Sequence, residues 1–291
     1  MGTPAAEIDI NPALVKRLLK SQHSDLAHLP IVSAGTGWDN AMFRLGEQWA
    51  LRLPRRQLGA KLVEKEQTWL WRLAPHLTIP VSVPLRVGQP EGEYPWRWSV
   101  VPWIVGETVD SADLRASEAL RLAEFLRSLH MPAPAEAPTN PFRGCSLSER
   151  DPSVQQWMQA LDDTPDALTP QIKALWNRAV SATCATERMW LHGDLHPRNI
   201  VAKDGVITGV IDWGDLCCGD VATDLAVVWM VFDQACDRAT FISAYGIDAV
   251  TELRSKGWAI FFATILLKTG LVDNPRHAAI GRNTMRRLAQ G

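Results

Sequence analysis

The sequence lacks a strong charge of either sign. Its 291 residues include 30 Lys and Arg against 32 Asp and Glu, which leaves a formal net charge of −2. This balance gives no support to a nucleic-acid-binding protein, because such proteins bind phosphate backbones through an excess of cationic side chains. Hydrophobic residues make up 46% and charged residues 21% of the chain, which is typical of a folded globular protein with one large or two ordinary domains.

Cysteine is scarce, and its spacing gives no sign of a metal site. The five cysteines are Cys145, Cys184, Cys217, Cys218 and Cys236. They are odd in number, two of them are adjacent, and no Cys-x-x-Cys pair occurs. We therefore expect reduced thiols in a cytoplasmic protein.

The sequence pattern also predicts no segment for export or for membrane insertion. The first residues, MGTPAAEIDINPALVKRL, lack a basic region followed by an apolar stretch, so we expect no signal peptide. The longest apolar run, Trp258–Leu267, is too short to span a bilayer and is followed by Lys268. The pattern indicates a buried helix and predicts no membrane partner.

The first part of the chain combines strand patterns with helices. Residues 11–22 have helical spacing behind an Asn-Pro start, and residues 59–77 have helical spacing again. Strand-like stretches, the first three forming an antiparallel unit, are LPIVSAG, NAMFRLG, QWALRLPRR, VSVPLRVG and WRWSVVPWIVGE. Residues 1–102 are therefore predicted to form an α+β lobe, an antiparallel sheet with a helix.

The remainder, residues 103–291, is predicted to be mainly helical. A helix is expected over residues 111–130, beginning at a Ser-Ala-Asp cap, and a Pro-rich surface loop or linker follows over residues 131–142. Within this part, IVAKDGVITGVID predicts a β-hairpin that turns at Asp204-Gly205. Further helices are expected near residues 153–161, 169–182, 220–233, 236–245, 250–270 and 275–289.

The stretch LHGDLHPRNI, residues 191–200, carries the pattern most indicative of chemistry. Asp194 and Asn199 lie five positions apart on a predicted loop, and Asp212 follows one hairpin later in VIDWGD. A carboxylate can accept the proton of an attacking hydroxyl, whereas an amide oxygen and a second carboxylate suit Mg²⁺. This order of groups is the arrangement used for phosphoryl transfer.

These motifs resemble the aminoglycoside phosphotransferase family, which shares the protein-kinase fold. The resemblance covers nearly the whole chain, since WALRLPRR, EKEQTWLWRL and VVPWIVGE are similar to the family's cation-bearing strand, its following helix and its lobe connection. It implies a bilobal α+β fold, with residues 1–102 as the nucleotide-binding lobe and residues 103–291 as the catalytic and acceptor-binding lobe.

The resemblance also implies roles for individual residues. Asp194 would be the catalytic base, or would orient the acceptor hydroxyl, and His192 would support the loop. Asn199 and Asp212 would bind Mg²⁺. Asp220, near a helix start with Asp224, would brace the catalytic loop, although an Asp at this position is ordinarily a helix cap.

Nucleotide-binding residues follow from the same resemblance. Arg52 stands where kinases usually carry a lysine, and it would pair with Glu66 rather than with the competing Glu64. An arginine can hold phosphate in a bidentate manner, so the role can survive the change. A plain strand arginine beside Arg55 and Arg56 is the alternative.

Two further segments would contact the nucleotide. Gly35, Thr36 and Gly37, in SAGTGWDN, would cover the phosphates, although Gly-x-Gly also suits a simple hairpin. Val101 to Trp103 would meet the base through backbone hydrogen bonds. Trp103 and Trp98 are candidates for stacking on the base, and burial in the core is the equal alternative.

The predicted function is a small-molecule kinase that transfers the γ-phosphate of ATP or GTP to a hydroxyl of an antibiotic such as an aminoglycoside. Only a few residues separate Asp212 from the helix expected near residue 220, which leaves no room for an activation loop that docks a peptide. An aminoglycoside would need a carboxylate-lined pocket, with candidates Asp215, Asp233, Asp237 and Asp273. Alternatives are a macrolide, a metabolic sugar or amino alcohol, or a non-catalytic nucleotide-binding protein. A monomer and a dimer are both open.

Overall fold

The computed structural model describes residues 4–162, 164, 168–183, 185 and 187–290. Cys184 lies outside the described residues. Of the described residues, Pro4–Val105 and Gly209–Gly214 form one compact unit, and those within 106–208 and 215–290 form a second. The predicted division after residue 102 did not include the return of Gly209–Gly214 to the first unit. Contacts made by Val210 and Asp212 explain that return, because both residues bond to the N-terminal unit.

The N-terminal unit is built on one antiparallel sheet of five strands in the order β1-β2-β3-β5-β4. The strands are β1 (Ile31–Thr36), β2 (Asn40–Leu45), β3 (Trp49–Pro54), β4 (Arg86–Gly88) and β5 (Trp98–Pro102). Helix α1 (Pro12–Gln22) begins at Asn11, whose side chain accepts the N–H of Leu14. Helix α2 (Gln57–Leu73) follows β3 directly, so Glu66 on α2 and Arg52 on β3 belong to adjacent elements.

The C-terminal unit is mainly helical, as predicted. Its helices are α3 (Ser117–Leu129), α4 (Leu147–Gln159), α5 (Pro170–Val180), α6 (Ala222–Leu225), α7 (Val227–Val231), α8 (Ala235–Tyr245), α9 (Ala249–Asp273) and α10 (Pro275–Ala289). Helix α9 is long and apolar enough to cross a membrane by length and composition, but 67% of its apolar window is buried within the protein. It packs against α10, α5, α6 and α4. The prediction of a buried helix over Trp258–Leu267 is therefore confirmed.

Short strands frame the predicted catalytic loop. Strand β7 (Met189–Leu191) pairs with β10 (Cys217–Gly219), and β6 (Glu107–Thr108), β8 (Ile200–Lys203) and β9 (Val206–Val210) form a second small sheet. The β8–β9 hairpin turns at Asp204 and Gly205, both in the left-handed region, as a tight two-residue turn requires. Residues 192–199 thus connect one small sheet to the other.

Two helix starts differ from the sequence prediction. Helix α3 begins at Ser117 rather than at Ser111, because Ser111 closes a turn onto Thr108 and residues before it are bonded to Arg276. Helix α4 begins at Leu147, six positions earlier than residue 153, because Ser146 and Glu149 form a reciprocal capping box.

The Pro-rich segment after α3 is anchored rather than a free linker. Met131 accepts the N–H of Trp190 at 2.9 Å, and the N–H of Ala133 bonds to the carbonyl of Arg188 at 2.8 Å. Further along, the carbonyl of Pro138 accepts the N–H of Cys218 at 2.9 Å. Through these bonds the segment lies beside β7 and β10, near the catalytic loop.

Candidate active site

The catalytic loop, residues 192–199, begins with a turn that only glycine fits. Gly193 has a φ of +84°. A β-carbon added there would lie 2.4 Å from the carbonyl oxygen of Asp215. Both the backbone conformation and the close approach of Asp215 exclude a side chain at this position. The Gly of the HGD motif therefore allows the loop to pack against the chain that follows Gly214.

A buried carboxylate fixes the backbone of this loop. Asp224 is 0% exposed. Its two oxygens accept the backbone N–H groups of His192 at 2.7 Å and Gly193 at 2.9 Å, and Nε2 of His130 lies 3.3 Å away. Hydrogen bonds to a buried carboxylate are stronger than neutral ones. Sequence analysis assigned Asp224 only to a helix start, although a charge within the apolar stretch VATDLAVVWMV was a signal for such a role.

Asp220 and His192 support the loop region in other ways. Asp220 accepts Nε of Arg254 at 2.6 Å and caps the next turn through the N–H of Ala222. His192 is fully buried, and its Nδ1 accepts the N–H of Asp194 at 3.2 Å. The buried imidazole therefore supports the loop through its hydrogen bond with Asp194.

Asp194 has a carboxylate that is partly open, with 25% of the side chain exposed. Arg143 donates to Oδ1 at 3.2 Å, and Nε2 of His196 lies 3.5 Å from Oδ2. Burial raises the pKa of Asp194, but the charges of His196 and Arg143 outweigh it and hold that pKa well below its usual range. The carboxylate is therefore ionised at neutral pH. Arg143 was not identified from the sequence.

Asn199 lies beside Asp194, as the five-residue spacing predicted. Its Nδ2 donates to the carbonyl of Asp194 at 2.8 Å, and its own N–H bonds to the carbonyl of His196 at 2.9 Å. These bonds orient the amide, and in the part of the chain that the structure describes no donor reaches Oδ1 of Asn199. An open amide oxygen is a suitable ligand for Mg²⁺.

The N-terminal unit holds a second cluster around Arg52, which is 5% exposed. Its Nη1 donates to Glu66 at 2.6 Å, and its Nη2 donates to Asp212. With the side-chain oxygen of Asn40 turned towards it, Arg52 also donates to that oxygen from Nε and Nη2 at 3.0 and 3.1 Å. The predicted pairing with Glu66 is present, whereas Glu64 is exposed. Asn40 was not identified from the sequence.

Burial and ion pairing act in opposite directions in this cluster. Burial alone would lower the pKa of Arg52, but Glu66 and Asp212 raise it above its usual range. Burial raises the pKa of Glu66 to about 7, although Arg52 opposes this. One oxygen of Glu66, Oε1, is buried without a partner. That missing hydrogen bond favours the protonated form of Glu66, so the effect of burial on its pKa outweighs that of Arg52.

Asp212 occupies an uncommon backbone conformation, with a φ of +62°. Non-glycine residues in the left-handed region are infrequent and are often found at functional positions. Its Oδ1 accepts from Arg52, and 56% of the side chain is exposed. Among the described residues no donor reaches Oδ2, so this oxygen is open to a cation. Histidine, cysteine and acidic residues form no group of three or more that could hold a metal within the described chain.

The predicted glycine loop comprises the last two residues of β1 and the first residue of the turn to β2. Gly35, Thr36 and Gly37 are exposed, and Gly35 has a φ of +107° next to a β-bulge. The N–H of Gly37 bonds to the carbonyl of Asn40 at 2.8 Å, and Nη1 of Arg55 donates to the carbonyl of Gly37 at 3.2 Å. Gly35 and Thr36 pair with Met42 and Ala41 of β2, so the loop is the exposed end of a β-hairpin.

The segment predicted to contact the base, Val101 to Trp103, has only part of its backbone free for such contacts. Val101 is buried and pairs with Ala50 in the sheet. The N–H of Trp103 donates to the carbonyl of Gln48 at 2.8 Å, so the predicted bond from this N–H to a base is not available. Arg44 stacks over the Trp103 ring at 5.2 Å. Trp98 is 1% exposed and lies in the core, where it packs against Gly88, so stacking on a base is excluded for this side chain.

Comparison with solved structures identifies the fold of the chain. Solved structures of the kinase-like phosphotransferase fold match nearly the whole chain. The GDP complex of aminoglycoside 2'-phosphotransferase-IIIa has a TM-score of 0.69 at 17% identity, covering 97% of this chain and 99% of that one. The macrolide 2'-phosphotransferase MphH from Brachybacterium faecium has a TM-score of 0.63 at 18% identity, covering 93% and 96%. The predicted α+β kinase-like fold is confirmed.

The family follows from the sequence match. The model of the phosphotransferase enzyme family, APH, matches residues 31–257. The chain belongs to this family, which confirms both the resemblance drawn from the HGD and DWG motifs and the prediction of a phosphotransferase. A curated relative, the homoserine kinase of Gluconobacter oxydans (strain 621H), is 28% identical over 153 residues. That match covers 50% of this chain and 48% of the relative, so the chain spans about half of the relative's length.

Proposed function

We propose that this protein is a small-molecule kinase that transfers the γ-phosphate of ATP or GTP to an alcohol. One observation carries the proposal: an ionised, partly exposed Asp194 lies in a loop whose backbone is held by the buried Asp224. Beside it, Asn199 leaves its amide oxygen open. A carboxylate that is held in place before the acceptor arrives removes part of the entropic barrier to reaction.

Asp194 would act on the acceptor hydroxyl. Its lowered pKa makes it a weak base, so it would first accept a hydrogen bond from the hydroxyl and orient the oxygen towards phosphorus. The proton would move to Asp194 only as the new O–P bond forms and the hydroxyl becomes acidic. The bond to the leaving nucleoside diphosphate breaks in the same step.

Residues of the N-terminal unit would hold the nucleotide. Arg52 is permanently charged and offers several N–H donors in a plane, which suits phosphate oxygens. The exposed backbone groups of Gly35 and Thr36 would approach the phosphates. Glu66 would keep Arg52 in place, and Val101 to Trp103 would approach the base without the Trp103 N–H.

Asn199, in the C-terminal unit, and Asp212, in the N-terminal unit, each have an open oxygen of a kind that Mg²⁺ binds. An amide oxygen and a carboxylate oxygen are hard ligands, and Mg²⁺ commonly takes only one or two protein ligands besides phosphate and water. The ion would neutralise charge on the phosphate oxygens. Asn199 and Asp212 would each supply one oxygen, and Arg52 would keep Asp212 oriented.

An aminoglycoside is the first candidate acceptor. Two observations support it, the resemblance of the motifs and the likeness to structures whose names include aminoglycosides. Against it, acidic candidates are already bonded: Asp233 pairs with Arg286 and Arg287, and Asp215 accepts Nδ2 of Asn140 at 2.8 Å. A macrolide is supported by the likeness to MphH. A small metabolic amino alcohol is the second candidate, supported by the homoserine kinase relative.

We further propose that the protein acts in the cytoplasm. Three cysteines of the described chain, Cys145, Cys218 and Cys236, are free thiols. Free thiols are typical of a reducing compartment.

The experiment is a measurement of nucleoside diphosphate release from ATP and from GTP, with and without Mg²⁺, over a panel of aminoglycosides, macrolides, sugars and amino alcohols. The phosphorylated acceptor is identified by mass spectrometry. We expect acceptor-stimulated, Mg²⁺-dependent release. Nucleotide binding without release for any acceptor would instead support the non-catalytic alternative.

A further inference from the structure

Arg143 is a cation placed directly against the catalytic carboxylate. Its Nη2 donates to Oδ1 of Asp194 at 3.2 Å, and only 14% of its side chain is exposed. It comes from the segment after the Pro-rich stretch, 51 positions before Asp194 in the chain. Nothing in the phosphoryl-transfer step described above requires a cation from this segment.

The backbone around Arg143 is firmly held. The N–H of Gly144 donates to Oγ1 of Thr223 at 3.1 Å, and the carbonyl of Gly144 accepts the N–H of Asp220 at 2.9 Å. Gly144 and Gly219 are so close that a β-carbon on Gly219 would lie 2.2 Å from the carbonyl oxygen of Gly144. The backbone next to Arg143 is therefore bonded to the segment that carries Asp220 and Thr223.

The guanidinium itself is held by two aromatic rings. It lies 5.0 Å from the ring centres of Phe261 and of Phe262, both of which are 1% exposed. Cation–π contacts of this kind hold a guanidinium in one plane. Within the described residues its Nη1 reaches only the exposed carbonyl of Phe142, at 3.3 Å. The guanidinium thus has donor capacity left on the side of Nη1.

Other basic residues lie near Asp194. His196 approaches its other oxygen at 3.5 Å, the ring of His277 lies 6.4 Å from that of His196, and Arg198 bonds to Nε2 of His277 at 2.8 Å. Asp215 packs against Gly193 and brings a negative charge, but its Oδ1 is bonded to Asn140. Within the described residues, Arg143 is therefore the permanent positive charge that contacts the catalytic carboxylate.

An acceptor hydroxyl must come within hydrogen-bond distance of Asp194, so its neighbouring substituents come close to Arg143. Arginine offers donors and no acceptor, and its fork of N–H groups matches a carboxylate. An ammonium group at this position would meet a fixed positive charge. A carboxylate there would gain a charge-assisted hydrogen bond.

We propose that Arg143 is a specificity-determining residue that binds a carboxylate of the acceptor, so that the substrate is a small hydroxy acid rather than a polycationic antibiotic. This inference rests on the proposed kinase function and names its acceptor class. It selects among the acceptor candidates by charge, and it assigns the selection to one side chain.

The test uses acceptor pairs that differ only in a carboxylate. Glycerate is compared with glycerol, and homoserine with its amide, with kanamycin as the polycation. Binding to the full-length protein is measured by calorimetry in the absence of nucleotide, and kcat and KM are measured with it. We expect the carboxylate member of a pair to bind at least about tenfold more tightly, a factor that corresponds to one charge-assisted contact.

The variants are Arg143→Gln, Arg143→Lys and, as a matched control, Arg150→Gln. Arg150 also stacks on an aromatic ring, that of Phe142 at 5.2 Å, and donates to the carbonyl of Glu149. We expect Arg143→Gln to abolish the preference mainly through KM, Arg143→Lys to keep part of it, and Arg150→Gln to match the wild type.

Two failures are distinguishable. Carboxylate members that bind no better than their neutral partners, or kanamycin that binds better than both, would overturn the role of Arg143 even if neutral acceptors are phosphorylated. A carboxylate preference that depends on Arg143 in calorimetry, with no turnover of any acceptor, would support the role of Arg143 and contradict the kinase proposal alone.

Discussion

The catalytic loop and the glycine loop are held in opposite ways. In the catalytic loop, the backbone N–H groups of His192 and Gly193 donate to a carboxylate that is 0% exposed, and His192 is itself buried. In the glycine loop, Gly35, Thr36 and Gly37 are exposed, and the turn is closed by backbone bonds and by Arg55. One loop is part of a buried polar network, and the other is a solvent-exposed hairpin turn.

This difference matches the two tasks assigned to the loops. An acceptor must be aligned with Asp194 to within a fraction of an ångström, which favours a loop fixed by buried hydrogen bonds. A nucleoside triphosphate must enter and the nucleoside diphosphate must leave, which favours a loop with few contacts. Arg52 is an intermediate case, because it is buried yet linked to the exposed Asp212.

Loss of the buried carboxylate beneath the catalytic loop is expected to have the largest effect on stability. Asp224→Asn replaces one acceptor oxygen by an N–H₂ group that faces a backbone N–H. We expect the free energy of unfolding to fall by about 2–4 kcal/mol and kcat to fall by about a hundredfold, measured by denaturant titration and steady-state kinetics. Asp204→Asn, an identical change in the exposed hairpin turn, serves as the control. Wild-type turnover in Asp224→Asn would contradict the bracing role.

Arg52→Lys tests the intermediate case. A lysine brings one compact charge and cannot replace bonds to Glu66, Asp212 and Asn40 together. We expect KM for the nucleotide to rise by about three- to tenfold and stability to fall by about 1–2 kcal/mol, since a buried partner is left unsatisfied. The measurement is nucleotide titration at saturating acceptor. A lysine variant that equals the wild type would mean that the arginine fork is not used.

Glu66 provides a pH dependence of stability. Burial raises the pKa of Glu66 to about 7 in the folded protein from 4.5 in the unfolded chain. Protonation of Glu66 therefore stabilises the fold below pH 4.5, and this contribution is lost as pH rises through about 7. Relative to Glu66→Gln, which cannot ionise, we expect the wild type to lose up to about 3 kcal/mol across this range. Parallel denaturation curves at each pH measure it, and a constant difference between the two proteins would refute the raised pKa.

The smallest effects are expected in the glycine loop, where two neighbouring glycines form a matched pair. Gly35→Ala introduces strain because φ is +107°, although no atom lies within 4 Å of the added carbon. Gly37→Ala adds a carbon 3.7 Å from the carbonyl of Asn40 at an ordinary φ. We expect Gly35→Ala to cost about 1–2 kcal/mol of stability and to raise KM for the nucleotide a few-fold. Gly37→Ala should stay near the wild type in both, and equal effects would place the constraint outside the backbone of Gly35.

The parts of this molecule that the sequence predicts depend on local patterns. The hairpin at Asp204-Gly205 follows from a two-residue turn signal, and the pairing of Arg52 with Glu66 follows from a strand next to a helix. Asp194 and Asn199 lie on one short loop, so their proximity follows from spacing alone. The predicted start of α3 was wrong because Arg276, which is distant in the sequence, binds Asp110 in the segment before the helix.

The residues that sequence analysis missed act over long separations. Asp224 lies 31 positions after Gly193, and Arg143 lies 51 positions before Asp194. Such contacts arise from the packing of elements that are distant in the chain, and no periodicity predicts which charged side chain meets which loop. For Trp98 the sequence left burial and base stacking open, because its burial against Gly88 depends on sheet register.

The most direct test of the account is phosphoryl transfer by Asp194→Asn. Formation of phosphorylated acceptor is followed with Mg²⁺ and ATP or GTP, using the best acceptor of the panel, for wild type, Asp194→Asn and the exposed control Asp204→Asn. The account predicts a loss of about a hundredfold to ten-thousandfold in kcat for Asp194→Asn with unchanged nucleotide binding, and full activity for Asp204→Asn. Transfer by Asp194→Asn at the wild-type rate would contradict the assignment of this loop as the catalytic centre.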